Sequence, residues 1–537
     1  MSSLVLRNRS FFAVLASFVF VVSTFLIPAP ALAQGTAFKQ AVAEAAARDK
    51  DIAAFYQANG YEGIWTGKGR DRNRRAALVQ ALKAAGNHGL PSARYDVDGL
   101  QAKMKAARTQ RDLGLLEVEI SRVFLQYARD IQTGVLIPGR VDRAIVRKVP
   151  YRDRTSYLTN FEKSSPKGFF RALAPRTTEY TALMKEKLRL EKLLAQGGWG
   201  QTVPSKTLKP GASGAAVVAL RDRLVRMGYL KRNAGKTYDA NMTKAVQQFQ
   251  RAHGLAQDGV AGPGTMTEIN TSVQTRLQSV IVAMERERWL NQDRGRRHVE
   301  VNLADFTAKI IDNGKVTFET RSVIGHRERD RQSPEFSDVM EFMVINPSWY
   351  VPRSIVTKEY LPELQKDPNA VNHIEITDSQ GRRVDRSVVD FTQFTERTFP
   401  FAMRQPPSRG NALGLVKFMF PNPHNIYLHD TPAKNLFGRE IRAYSHGCIR
   451  LADPFDFAYA LLSKQTNDPK GLFQAKLATG TEQQVNLKQP VPVHIIYRTA
   501  FVDGKGRTQF RRDIYGRDAK IWKALAKAGV AMRAVQG

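Results

Sequence analysis

One cysteine in 537 residues, Cys448, sets the first limit on the fold. With no second thiol to pair with, no disulfide framework can staple the chain, so each domain must rest on a hydrophobic core of its own. The hydrophobic content of 42% suffices for ordinary cores, and the length calls for two to four domains. Residues 1–33 carry Arg7 and Arg9, an apolar run from Phe11 to about Ile27, and Ala31-Leu32-Ala33. This reads as a secretory signal cleaved after Ala33; left uncleaved, it would serve as a membrane anchor. No other stretch looks transmembrane. In an oxidising compartment a free thiol is exposed to oxidation, so its retention points to a use.

A lone cysteine is more often an inert buried side chain than a nucleophile. Three features of Ser445-His446-Gly447-Cys448 argue otherwise. Glycine disfavours helix, and in an extended segment His446 and Cys448 project to the same side. Gly447 lets a substrate approach the backbone, so its N–H and that of Cys448 can face an oxyanion. Asp453-Pro454 reads as the N-cap and first residue of a helix to about Leu462, whose N-terminal dipole is expected to lower the thiol pKa. Two further histidines, His429 and His424, lie just upstream as candidate bases. They lack a third ligand at tight spacing, so neither a metal nor another cofactor is expected.

The order Tyr427-x-His429, a gap, then Ser445-His446-Gly447-Cys448-x-Arg450 resembles the catalytic motif of the L,D-transpeptidases. Many members end the motif in Asn where this chain has Arg450, a departure that points to the large periplasmic subfamily. The resemblance implies a YkuD-type β fold, an acyl-enzyme on Cys448, and His429 as general base. His446, Ser445 and Gly447 complete the catalytic loop, and Tyr427 and Arg450 are expected to contact substrate. Asp430 is expected to orient His429 through its backbone carbonyl or its carboxylate. The implied partner is peptidoglycan: a tetrapeptide stem as donor and an amine as acceptor, on a second stem or an envelope protein. Two alternatives stay open, a thiol hydrolase that trims stems and a non-catalytic wall-anchoring protein.

The rest of the chain reads as a multidomain α+β protein in the same order as that subfamily. Residues 34–200 are mainly helical, with apolar periodicity over Arg75–Ala85, Leu113–Asp130 and Tyr180–Leu194. Phe55-Tyr56, Trp65 and His88 resemble the subfamily's scaffold domain and are assigned structure, not chemistry. After a linker from Gln196 to Ser213, residues 207–272 form a small three-helix bundle resembling peptidoglycan-binding domain 1, with helices over Val217–Met227, Met242–His253 and from Pro263. Residues 280–500 form the mostly β catalytic domain. Its strands are expected at His298–Asn302, Thr307–Ile311, Val316–Ile324, Glu341–Asn346 and Val491–Tyr497, with Asp312-Asn313-Gly314 as a hairpin turn. Strand pattern is interrupted over about 353–415, an insertion expected to act as a lid, helical at Glu359–Gln365 and loop-like at Gln380–Val384 and Arg404–Gly414. The tail 501–537 is basic, with Lys505, Arg507, Arg511 and Arg512, and ends in a helix around Ile521–Ala531 expected to pack on the domain or the envelope surface. A formal net charge of +32 would suit nucleic acid, but an exported chain rarely meets it. Anionic wall or envelope polymer in the periplasm is the expected partner.

Overall fold

The helix Val273–Trp289 is buried on every side from Val280 onward, and the rest of the chain is arranged about it. The computed structural model describes residues 29–532, with side chains from residue 35, so most of the expected signal segment lies outside the described residues. Among the described residues no helix is long and apolar enough to cross a membrane. The protein is a multidomain α+β chain: a helical N-terminal region, a small helical module and a β-rich C-terminal domain.

The N-terminal helices close over an aromatic core in which Trp65 stacks on Phe161 with ring centroids 4.8 Å apart. Their spine is the helix Gln110–Thr133, longer at both ends than its apolar pattern predicts; at its N-terminus Thr109 and Asp112 form a reciprocal capping box. Phe55, Tyr56 and Trp65 are all core residues. Glu117, fully buried, ties them together: it accepts from the Tyr56 hydroxyl and from the backbone N–H groups of Ile64, Trp65 and Thr66. His88 is also structural, bonded at 3.0 Å to the Tyr180 hydroxyl, and burial pushes its pKa down to about 4.

The small module has helices Ala215–Arg226, Ala240–Ala252 and Pro263–Asn270 around its own core. The C-terminal tail does not stand free as a basic arm. Its hairpin and the helix Arg517–Lys527 pack on the central helix. Arg511 pairs with Asp305, and Arg512 with Glu268 of the small module and Glu440 of the β-rich C-terminal domain. Of the two surfaces expected for this tail, the domain and the envelope, it packs on the domain, and its charges join modules of the same chain.

In the catalytic domain the strands are β1 (Arg297–Asn302), β2 (Thr307–Asp312), β3 (Lys315–Gly325), β4 (Phe336–Ile345), β5 (Trp349–Tyr350), β6 (Glu375–Thr377), β7 (Ala402–Gln405), β8 (Val416–Met419), β9 (Leu428–His429), β10 (Ala443–Ser445), β11 (Ile449–Leu451) and β12 (Gln483–Ile496). One sheet runs β10-β3-β11-β9-β8-β4-β12-β1-β2, and a further pairing of β2 with β3 joins it into a ring around the core. β4 and β12 are longer than expected. The first half of β12 is mostly polar and carries Pro490 and a bulge between Asn486 and Val491, which hide the strand pattern there. The insertion is a subdomain and not a loop: β5, β7 and β6 make a second small sheet over a separate core containing Trp349, Leu364, Phe391 and Met403. Arg404 and Gln405, expected in a loop, lie in β7.

Candidate active site

Strand alternation builds the site. β9 runs parallel to β11 with Leu428 opposite Ile449 and His429 opposite Arg450. On the other side of β9, β8 places Phe418 opposite Leu428 and Lys417 opposite His429. Successive side chains of a strand face opposite ways, so Phe418, Leu428, Ile449 and Leu451 enter the core. Lys417, Tyr427, His429, Cys448 and Arg450 face a cavity of about 800 Å³ between the barrel and the inserted subdomain. Ser445, His446 and His424 also line it.

Cys448 is half-buried, and its thiol donates to the carbonyl of Asn425 at 3.4 Å. Burial pushes the thiol pKa up to about 11; contacts from Tyr427 and the nearby Arg450 charge pull the other way without prevailing. The lowered thiol pKa expected from the following helix is therefore overturned. The helix Pro454–Leu462 is present, but Asp453 gives it no side-chain cap, because its carboxylate takes the Thr320 hydroxyl at 2.7 Å. His429 is fully buried and its Nδ1 bonds the backbone carbonyl of Asp430 at 2.5 Å. A carbonyl can only accept, so Nδ1 carries the hydrogen and the lone pair is on Nε2. Burial, then the Arg450 charge, hold the imidazole pKa down to about 3, against the favourable Asp430 and Leu413 carbonyls. At neutral pH the site holds a neutral thiol and a neutral imidazole.

Of the two routes expected from Asp430 to His429, the backbone carbonyl is the one used. Its carboxylate accepts from Leu415 N–H at 2.9 Å and Lys434 at 2.6 Å, which fastens the return strand of the insertion. The loop before Cys448 is pinned by Ser333, whose hydroxyl donates to the Gly447 carbonyl at 2.6 Å. Gly447 has φ +117°, a conformation costly for any residue with a Cβ. Among the described residues no acceptor takes the N–H of Gly447 or Cys448.

Three family descriptions match the chain in the order of this architecture: "Scaffold domain" over residues 50–186, "Putative peptidoglycan binding domain" over 213–269, and "L,D-transpeptidase catalytic domain" over 296–493. The catalytic domain belongs to the YkuD-type L,D-transpeptidases. A "Putative L,D-transpeptidase" of Haemophilus influenzae is 30% identical over 223 residues, 41% of this chain and 44% of that protein. An N-acetylmuramoyl-L-alanine amidase of Bacillus licheniformis is 31% identical over 103 residues, 17% of this chain and 29% of its own. A zinc D-Ala-D-Ala carboxypeptidase of Streptomyces albus G is 46% identical over 69 residues, 12% and 26%. The chain thus spans less than half the length of each of these relatives. The crystal structure of an L,D-transpeptidase (residues 123–326) from Xylanimonas cellulosilytica aligns over 55% of this chain and 100% of its own, at 16% identity and a TM-score of 0.17, too low to bear on the fold.

Every site residue expected in this L,D-transpeptidase domain lines the one cavity, except Gly447, which lies in the wall beside a second, smaller one. His446 turns to the insertion, its Nε2 2.6 Å from the Glu359 carboxylate. Three contributors escape sequence reasoning: Lys417, the Asn425 carbonyl and Glu359. Lys417 could have been found from the alternation of Val416, Lys417 and Phe418. The other two act through a backbone atom and a distant segment, neither of which leaves a local signal.

Proposed function

We propose that the protein is an exported, periplasmic enzyme that uses Cys448 to form direct 3→3 cross-links between the diamino acids of peptidoglycan stem peptides. The reading rests on one observation above the others: the only thiol of the chain sits in a roofed cavity beside a buried, neutral imidazole. His429 Nε2 takes the thiol proton as the sulfur attacks the carbonyl that joins the diamino acid to D-Ala in a tetrapeptide stem. A C–S bond forms, the C–N bond breaks, and the proton passes to the departing D-Ala nitrogen. The unengaged N–H groups of Gly447 and Cys448, with the Tyr427 hydroxyl, hold the oxyanion. Arg450, which has no ion-pair partner among the described residues, takes a carboxylate of the stem. An acceptor amine then resolves the thioester, and the helical module 213–269 keeps the enzyme on the wall.

The test is incubation of the mature chain with purified tetrapeptide muropeptides and mass spectrometry of enzyme and products. The expected results are loss of D-Ala, an acyl adduct on Cys448 and a cross-linked dimer. A carbapenem, which resembles the family's acyl donor, should add its mass at the same residue. An adduct that survives Cys448→Ala sinks the assignment, and trimmed monomer without dimer makes the protein a hydrolase. His429→Ala should slow acylation by about 100-fold, the scale of a lost general base.

A further inference from the structure

The cavity is charged asymmetrically. Its barrel side carries two cations, Lys417 and Arg450, flanking His429 in one cross-strand row, and among the described residues neither has an ion-pair partner within 4 Å. Its lining includes a single carboxylate, Glu359, and that residue comes from the inserted subdomain. Glu359 sits in a π-helical turn, Val356–Tyr360, a distortion of helix that recurs at functional sites. The turn meets the catalytic loop through Glu359, whose Oε1 lies 2.6 Å from His446 Nε2 and 3.1 Å from Arg331, and among the described residues no hydrogen bond engages Oε2. Lys358 adds a weaker contact to Asp330 at 3.6 Å.

A cationic floor suits the carboxylates of an acyl donor. It also repels the other reactant, because an aliphatic amine reaches the enzyme as an ammonium. We propose that Glu359 is the acceptor-selecting residue: its free carboxylate oxygen holds the ammonium of the incoming amine beside the acyl group on Cys448. The lid thereby supplies the one charge the barrel face lacks, and a protein without it would offer the thioester mainly to water. In the resolving step the amine nitrogen forms the new C–N bond as the C–S bond breaks. Of the two protons the ammonium sheds, one restores the Cys448 thiol and the other leaves to water.

This inference rests on the acyl-enzyme reading above, so the experiment separates the two. The unmodified chain, Glu359→Gln and Glu359→Asp are acylated with tetrapeptide muropeptide, and each acyl-enzyme is partitioned between water and an added nucleophile. One nucleophile is a second tetrapeptide stem, which brings an ammonium; the other is hydroxylamine, uncharged at neutral pH. A partition ratio is independent of how fast the acyl-enzyme formed. For Glu359→Gln the stem-to-water ratio should fall by about tenfold or more, the scale of one charge-assisted hydrogen bond, through a raised KM for the stem. The hydroxylamine ratio should fall far less, and Glu359→Asp should recover part of the stem ratio. An unchanged stem ratio, or an equal fall for both nucleophiles, overturns the role of Glu359 and leaves the lid contact purely structural. Failure of the unmodified chain to form any acyl-enzyme overturns the proposed function instead.

Discussion

The central helix Val273–Trp289 and the catalytic cavity both hold cations away from bulk water, and they treat them in opposite ways. In the helix every buried arginine is met by an acid: Arg276 by Glu268, Arg286 by Glu335 and Asp518, Arg288 by Glu285. The partners come from the small module, the catalytic domain, the C-terminal helix and the helix itself, so the pairs also fix how these parts meet. In the cavity Lys417 and Arg450 are half-buried, have no ion-pair partner within 4 Å among the described residues, and are pushed down in pKa chiefly by burial, which the charge of Glu482 only partly opposes at Lys417. Desolvating a cation without an acid is costly, so the cavity is in a higher-energy state than the helix. A paired buried charge specifies assembly; an unpaired one at a cavity wall is available to a ligand.

The sharpest way to break this comparison is to take an acid from the helix. Glu335 serves both Arg286 and Arg517, so Glu335→Ala leaves two buried guanidinium groups short of charge. The expected loss is about 3–5 kcal/mol, read from the denaturant midpoint; a variant as stable as the parent would show that these pairs do not hold the modules together. Removing a cation from the cavity should do the reverse. Arg450→Ala is expected to keep or slightly raise the thermal midpoint while kcat/KM for the stem donor falls about 10–100-fold. A large fall in stability would place Arg450 with the structural set.

Two smaller effects sharpen the same contrast. Gly414, at φ +62°, returns the lid to β8, and an added Cβ would meet the Asp430 carboxyl at 2.3 Å. Gly414→Ala should therefore cost about 1–3 kcal/mol and impair transfer to an amine more than acylation by a small β-lactam. If both half-reactions drop alike, the hinge does not act on the lid. The pH profile should be the mildest signature. With the thiol pulled up to about 11 and His429 held down to about 3, neither group changes charge between pH 5 and 8. Carbapenem acylation should stay within about twofold across that range and fall only as pH drops toward the imidazole pKa. Arg450 lowers that pKa, so in Arg450→Ala the acid limb should move to higher pH. A bell centred in the neutral range would instead indicate a preformed thiolate–imidazolium pair.

Much of this was legible before any coordinates. The helices with strong apolar periodicity stand within a few residues of expectation, as Val217–Met227 against Ala215–Arg226 shows, because burial of one face imposes the period. Ser445 to Cys448, Tyr427 and His429 were legible because residue types in a fixed order along the chain are what a family motif records. The insertion was visible only as an interruption, since strands of two to four residues are too short to show a period.

What only the tertiary structure decided lies in the electrostatics. The sequence placed Cys448 before a helix and so favoured a lowered thiol pKa; the cavity raises it, because burial outweighs the Tyr427 contacts and the Arg450 charge. Nor could the sequence reveal which charges would be paired. Arg286 finds Glu335 and Asp518 across 49 and 232 residues, Arg450 finds none, and Glu359 reaches His446 across 87. Residue types and their local spacing settle which groups a chain owns. The distances between groups far apart in sequence, and the water removed from around them, exist only once the domains have packed.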